Sequence, residues 1–263
     1  MMLKNKVAVI YGAGGAIGGA VARAFASEGA KLFLTGRLLA PVTAVAQDIV
    51  SNSGSAEVAQ VDALDEQSID EHLQSVIDQA GRVDISFNAV GLPVAKVLGT
   101  SLLEMKVEQF SLPIEAYTRS YFLTARLAAR RMIPKKSGVI MTVTSIPARI
   151  GTLLNGGYGP AHAAKDALTR DLSIEFAPKG IRVVGLRPHG MPETSTMKKL
   201  LDAKVSKMGL TWEQFENYIV NWSHPHRAMT LKEVGAMAVL MACDQASGVT
   251  GTTINLTMGA IND

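Results

Sequence analysis

Residues 6–30 read KVAVIYGAGGAIGGAVARAFASEGA, and no other stretch restricts the fold as tightly. Val7, Ala8, Val9 and Ile10 form a short apolar run, the pattern of a strand buried on both faces. A glycine-rich turn follows, and Ile17, Val21, Ala24 and Phe25 then recur at helical spacing. Glycine lets a backbone turn sharply and approach a ligand closely, and a helix N-terminus offers N–H groups to an anion. A strand feeding a helix through such a turn therefore suits a pyrophosphate, with Gly12, Gly14, Gly15, Ala16, Ile17 and Gly18 as the expected contacts. A glycine run is elsewhere a plain tight turn. Its place between a buried strand and an amphipathic helix favours the nucleotide.

The rest of the chain repeats this rhythm. Strands are expected at residues 31–35, 57–61, 83–88, 139–144 and 181–186, and helices at 41–52, 65–80, 113–135 and 158–177. The alternation predicts an α/β fold, a doubly wound parallel sheet flanked by helices, with ligands at the carboxyl ends of the strands. The 263 residues are 48% hydrophobic, in keeping with one domain built on a full core. From 188 to 230 the rhythm breaks into polar, helix-forming material, expected to be a substrate-side lid. A helix at 231–242 and a strand at 252–255 close the chain.

Several classes are excluded at this level. No run of eighteen apolar residues is present, so no membrane span is expected. The first strand begins too early for a secretory leader, and Cys243 is the sole cysteine, so the expected location is cytoplasmic, with no disulfide framework. The formal charge is +3 with Lys and Arg dispersed, which argues against nucleic acid. His224 and His226 are more simply a polar loop than a metal site, and no metal is expected. Methionines crowd the last third, where core packing and a lipophilic pocket are both compatible with them.

Cofactor choice is legible at the end of the second strand. An acidic residue there bonds the ribose 2′-hydroxyl of NAD in many dinucleotide units. Here Leu34-Thr35-Gly36-Arg37 offers a guanidinium, which suits the 2′-phosphate of NADP. A charged hydrogen bond of about 1.5–3 kcal/mol gives on the order of tenfold to a hundredfold preference. A solvated arginine is the plainer reading. Asp62, ending the third strand, is placed to accept from the adenine amine or to cap a helix.

At this point the chain resembles the short-chain dehydrogenase/reductase family over nearly its whole length. Tyr11-Gly12-Ala13-Gly14-Gly15-Ala16-Ile17-Gly18 is similar to the family's Thr-Gly-x-x-x-Gly-x-Gly. Phe87-Asn88-Ala89-Val90-Gly91 resembles its Asn-Asn-Ala-Gly, and Tyr158 follows Ser145 by the family's thirteen residues. The segment from Arg182 to Pro188 resembles the sixth strand and Pro-Gly. The resemblance implies a Rossmann-type sheet, carbonyl–alcohol hydride transfer on a small-molecule substrate, Ser145 as oxyanion partner and Tyr158 as acid/base. It further implies cofactor contacts at Asn88, Ala89, Pro188 and Thr194, and a homodimer or homotetramer joined by the two long helices.

The chain departs from the pattern in six places, the first being Tyr11 at the motif threonine. His162 stands four residues after Tyr158, where the family has a lysine that holds the nicotinamide ribose and lowers the tyrosine pKa. Residues four apart share a helix face, so the imidazole is expected beside Tyr158, able to bond a ribose hydroxyl or relay a proton. Tyr117 occupies the family's asparagine position, Phe87 its first asparagine, Ala16 a motif glycine, and His189 the glycine after Pro188. Two other readings follow. One is a catalytically degenerate nucleotide-binding sensor or scaffold. The other is an enoyl-type reductase using Tyr158 and Lys165, whose Tyr-x6-Lys spacing that branch shares. Against it, Thr169-Arg170 keeps His162 in the lysine register, which leaves Lys165 expected to face solvent.

Overall fold

The computed structural model describes residues 1–93 and 96–262, with residues 201 and 202 described at backbone level only. Seven strands alternate with the first helices: β1 (Val7–Tyr11), α1 (Ala16–Ser27), β2 (Lys31–Gly36), α2 (Leu39–Ser51), β3 (Ser55–Gln60), α3 (Glu66–Ala80) and β4 (Ile85–Asn88). They continue as α4 (Val107–Met132), β5 (Gly138–Val143), α5 (Tyr158–Phe176) and β6 (Ile181–Pro188). The lid region holds α6 (Ser195–Leu200) and α7 (Trp212–Trp222), and α8 (Leu231–Ala242) and β7 (Thr252–Leu256) follow. The sheet order is β3-β2-β1-β4-β5-β6-β7, and every pairing is parallel. The expected doubly wound Rossmann-type architecture is present.

The apolar runs explain the layering. β1 is buried along its whole length, as are β4 and nearly all of β5 and β6, so both faces of the sheet are covered. One face carries Val21, Phe25, Val42, Ile49, Val234 and Val239 from α1, α2 and α8. The other carries Ile69, Leu73, Tyr121, Leu127, Leu172 and Phe176 from α3, α4 and α5. The order reverses between β1 and β4, the point at which sheets of this kind take ligands outside the carboxyl ends of their strands.

Register brings the functional segments onto one line. Tyr11 pairs with Asn88, Asn88 with Thr142, and Val143 with Leu186. The glycine turn after β1, the segment after β4, Ser145 after β5 and Pro188 at the end of β6 therefore share one edge.

The start of α4 and the expected cap role of Asp62 both differ from the sequence reading. α4 begins at Val107, six residues before Pro113, and the proline lies inside the helix rather than at its first turn. Its ring is buried against Gly157, whose backbone lies on the Phe110 carbonyl, and this packing holds the extra turns in place. Asp65 caps α3, accepting from the N–H groups of Gln67 and Ser68, whereas Asp62 accepts from Leu64 N–H at 3.0 Å in a local turn. Among the described residues no helix is long and apolar enough to cross a membrane.

Candidate active site

The glycine turn is set by close approach. Gly12 has φ +76°, and a Cβ there would lie 2.6 Å from the Ala89 carbonyl oxygen. A Cβ on Gly18 would lie 2.3 Å from the Gly12 carbonyl oxygen. The N–H groups of Gly12 and Ala13 both donate to the Thr35 carbonyl at 3.0 Å, which ties the turn to β2. Gly15 caps α1 without a side-chain bond, and no acidic residue sits in the first turn. Ala16 and Ile17 open the helix, and neither they nor Gly14 bring a charged side chain to it. A helix N-terminus so arranged leaves N–H groups and positive potential for an anion.

The flanking residues line the same edge. Arg37 is exposed just beyond β2, and its carbonyl accepts from Gln60 Nε2 at 3.0 Å. Asn88 is buried; its Nδ2 donates to Thr124 Oγ1 at 3.1 Å, and Ala89 N–H donates to the Tyr11 carbonyl at 2.9 Å. His189, after Pro188, is buried with its ring 5.8 Å from that of Trp222 and with Nε2 lacking a partner. Thr194 is buried too, donating to the Met191 carbonyl at 3.0 Å and accepting from Met197 N–H at 3.2 Å.

Tyr158, His162 and Tyr117 form an aromatic triplet on facing sides of α5 and α4. The Tyr158 and His162 rings are 4.3 Å apart, His162 and Tyr117 4.9 Å, and Tyr117 and Tyr158 5.9 Å. Burial raises the Tyr158 phenol pKa, and the nearby Ser145 hydroxyl opposes that effect in part. Tyr117 Oη accepts from Leu92 N–H at 3.2 Å, and burial raises its pKa as well. His162 is 4% exposed and neither ring nitrogen has a partner. Burial, with the Lys165 charge as a lesser cause, holds its pKa well below the usual histidine value. The imidazole beside Tyr158 is therefore neutral.

Lys165 overturns its expected solvent-facing position. It is 1% exposed, donates to the Val143 carbonyl at 2.7 Å, and its Nζ lies 5.7 Å from the ring centres of both Tyr117 and Tyr121. Burial lowers its pKa to about 7, an effect that neighbouring Asp166 opposes. Asp166 is itself held by Arg187 Nη2 at 2.6 Å and Thr253 Oγ1 at 2.8 Å. The signal was present in the sequence. His162, Lys165, Asp166, Thr169, Leu172, Ser173 and Phe176 make one continuous helical stripe, and all are buried. Tyr117, read only as a substitution, proves to be the third ring of the cluster.

The residues present fit a dinucleotide. Added Cβ atoms would fill the cradle at Gly12 and Gly18, the α1 N-terminus has no side-chain cap, and both His162 nitrogens are unpartnered beside Tyr158. Among the described residues no group of three or more His, Cys, Asp or Glu is arranged to hold a metal.

Comparison with known proteins agrees with this fold. The family described as Enoyl-(Acyl carrier protein) reductase matches residues 12–260. The oxidoreductase YxbG of Bacillus subtilis, itself uncharacterized, is 33% identical over 253 residues, covering 96% of this chain and 89% of the relative. The solved sorbitol-6-phosphate 2-dehydrogenase of Erwinia amylovora superposes with a TM-score of 0.91 at 26% identity, covering 97% of this chain and all of that one. A 7α-hydroxysteroid dehydrogenase, solved with NADH and 7-oxo glycochenodeoxycholic acid, superposes at 0.88 with 26% identity, covering 99% and 96%. The chain belongs to the short-chain dehydrogenase/reductase family. It is an oxidoreductase of that family, on a fold that binds a nicotinamide cofactor.

Proposed function

We propose that the protein interconverts a carbonyl and an alcohol on a small organic substrate, using NADP(H). The observation that carries this reading is the closeness of Ser145 to Tyr158, where the serine hydroxyl lowers the phenol pKa, on the carboxyl edge that also carries the glycine turn. The bound cofactor supplies or accepts hydride at the nicotinamide ring. Ser145 donates its hydroxyl to the substrate oxygen, and Tyr158 exchanges the proton at that oxygen through Oη; both donors lower the energy of the developing alkoxide. His162 presents an unpartnered imidazole nitrogen to the nicotinamide ribose and fixes the Tyr158 ring by contact.

Gly12, Gly14, Gly15, Ala16, Ile17 and Gly18 hold the pyrophosphate in this reading. Asp62 faces the adenine side, Asn88 and Ala89 bound the ribose, and Pro188 and Thr194 bound the nicotinamide amide. Arg37 pairs with the 2′-phosphate and sets the preference for NADP(H). The 188–230 region covers the substrate, and sorbitol-6-phosphate, named for a related enzyme, sets polyols and their ketoses as the first candidates. The reading places the protein in the cytoplasm as a homodimer or homotetramer.

Calorimetric titration with NADPH and then NADH tests the cofactor assignment. Tight NADPH and weak NADH binding is expected, with the preference lost in Arg37→Ser. Tyr158→Phe is expected to abolish carbonyl turnover while NADPH still binds; unaffected turnover would refute the role. One observation favours a second reading, a nucleotide-binding sensor: among the described residues no cation lowers the Tyr158 pKa. NADPH binding without turnover of any carbonyl would select it.

A further inference from the structure

Lys204 is a buried cation with a neutral partner. It lies in the wide helical turn Leu201–Val205 after α6, is 9% exposed, and donates from Nζ to Asn155 Oδ1 at 2.6 Å. Asn155 is itself buried. An ammonium carries three N–H donors, and moving one out of water is costly unless a charge pairs with it. Burial lowers the Lys204 pKa to about 8, and no opposite charge among the described residues offsets that effect.

The surrounding chain holds this lysine in place. Gly99 has φ +95°, and an added Cβ would lie 1.7 Å from the Ala203 carbonyl oxygen, so only glycine lets the two backbones meet. Lys207 Nζ donates to the Gly99 carbonyl at 2.6 Å, and Gly99 N–H donates to the Leu154 carbonyl at 2.8 Å. The Asn155 carbonyl accepts from Tyr158 N–H at 3.0 Å, so the anchor of Lys204 adjoins the proton-exchanging residue. In the same loop Thr152 Oγ1 is buried without a partner. Exposed Lys198 and Lys199 add positive charge on α6, just before this turn.

We propose that Lys204, presented by Asn155, binds an oxyanion carried by the substrate, a phosphate or a carboxylate remote from the reacting carbon. This rests on the carbonyl–alcohol reading above, and it makes the substrate-side region selective for anionic substrates. A charge-assisted hydrogen bond of the usual strength corresponds to roughly tenfold to a hundredfold in kcat/KM.

The test compares matched ketoses and polyols in three forms, neutral, terminally phosphorylated and terminally carboxylated, with the native chain and Lys204→Met. The native chain is expected to favour an anionic member, and the anionic-to-neutral ratio of kcat/KM to fall tenfold to a hundredfold in the variant, mainly through KM. The two anionic arms show which oxyanion is held. An unmoved ratio overturns the proposal. Inorganic phosphate titrated into the NADPH-loaded protein is the second readout: binding that is lost in Lys204→Met supports the site even where no carbonyl turns over, an outcome that would sink the redox reading alone. Phosphate binding equal in both proteins overturns the site. Lys204→Gln, which keeps a donor toward Asn155, replaces the methionine variant should that one fail to fold.

Discussion

At the scale of single residues, the chemistry turns on where protons rest. Burial raises the Tyr158 pKa, and among the described residues only the Ser145 hydroxyl opposes it, so the phenol stays protonated through neutral pH. It is then ready to donate in carbonyl reduction and poorly able to accept in alcohol oxidation. Reduction is expected to be flat from pH 6 to 9 while oxidation climbs about tenfold per pH unit, which initial rates in the two directions will show. His162→Lys places an ammonium about 4 Å from the phenol, worth about 4 kcal/mol at an effective dielectric near 20, and moves the oxidation limb down by up to ~3 units. No shift would mean that the new ammonium does not reach Tyr158. Lys165 makes a stability prediction of its own. Its folded pKa is near 7 against 10.5 for the free side chain, so between those values the unfolded chain holds a proton that the folded one lacks. Stability therefore rises with pH across that window. Lys165→Met is expected to melt above the native protein at pH 6–7, with the gap closing toward pH 10; a constant gap would refute the buried charge.

At the scale of elements, the close backbone contacts make the glycine turn intolerant of a single methyl. Gly18→Ala drives its Cβ toward the Gly12 carbonyl, so the turn must open. The expected result is a loss of about 1–3 kcal/mol in stability by denaturant titration, together with weakened NADPH binding. The elements themselves were legible because their signals are local. The apolar run of β1, the glycine punctuation and the helical recurrence in α1 all lie within 25 residues. The start of α4 was not. Proline commonly opens a helix, but Pro113 is accommodated inside this one because α5 offers Gly157 beside it. The burial of Lys165 was half legible. Its place in the α5 stripe is periodic, yet lysine in such a stripe ordinarily snorkels outward, and the Val143 carbonyl with the Tyr117 and Tyr121 rings is what holds it inward.

At the scale of the whole molecule, one sheet edge gathers every candidate residue while the outer faces of α4 and α5 remain open. Ile174 on α5 and Phe122 on α4 are exposed apolar side chains there, which fits assembly into the proposed dimer or tetramer. Ile174→Asp is expected to shift sedimentation toward the monomer, and an unchanged profile would move the interface elsewhere. The sequence by itself determined the strand–helix alternation, the parallel sheet and the glycine turn between β1 and α1, since periodicity and glycine placement are properties of the chain. Only the tertiary structure decided which ionisable groups lose their water. The neutral His162, the buried Lys165 and the Asn155-bound Lys204 depend on contacts between segments 20 to 60 residues apart. Desolvation is set by what packs around a group, and a local pattern such as the α5 stripe marks the buried face without fixing which polar groups are held there.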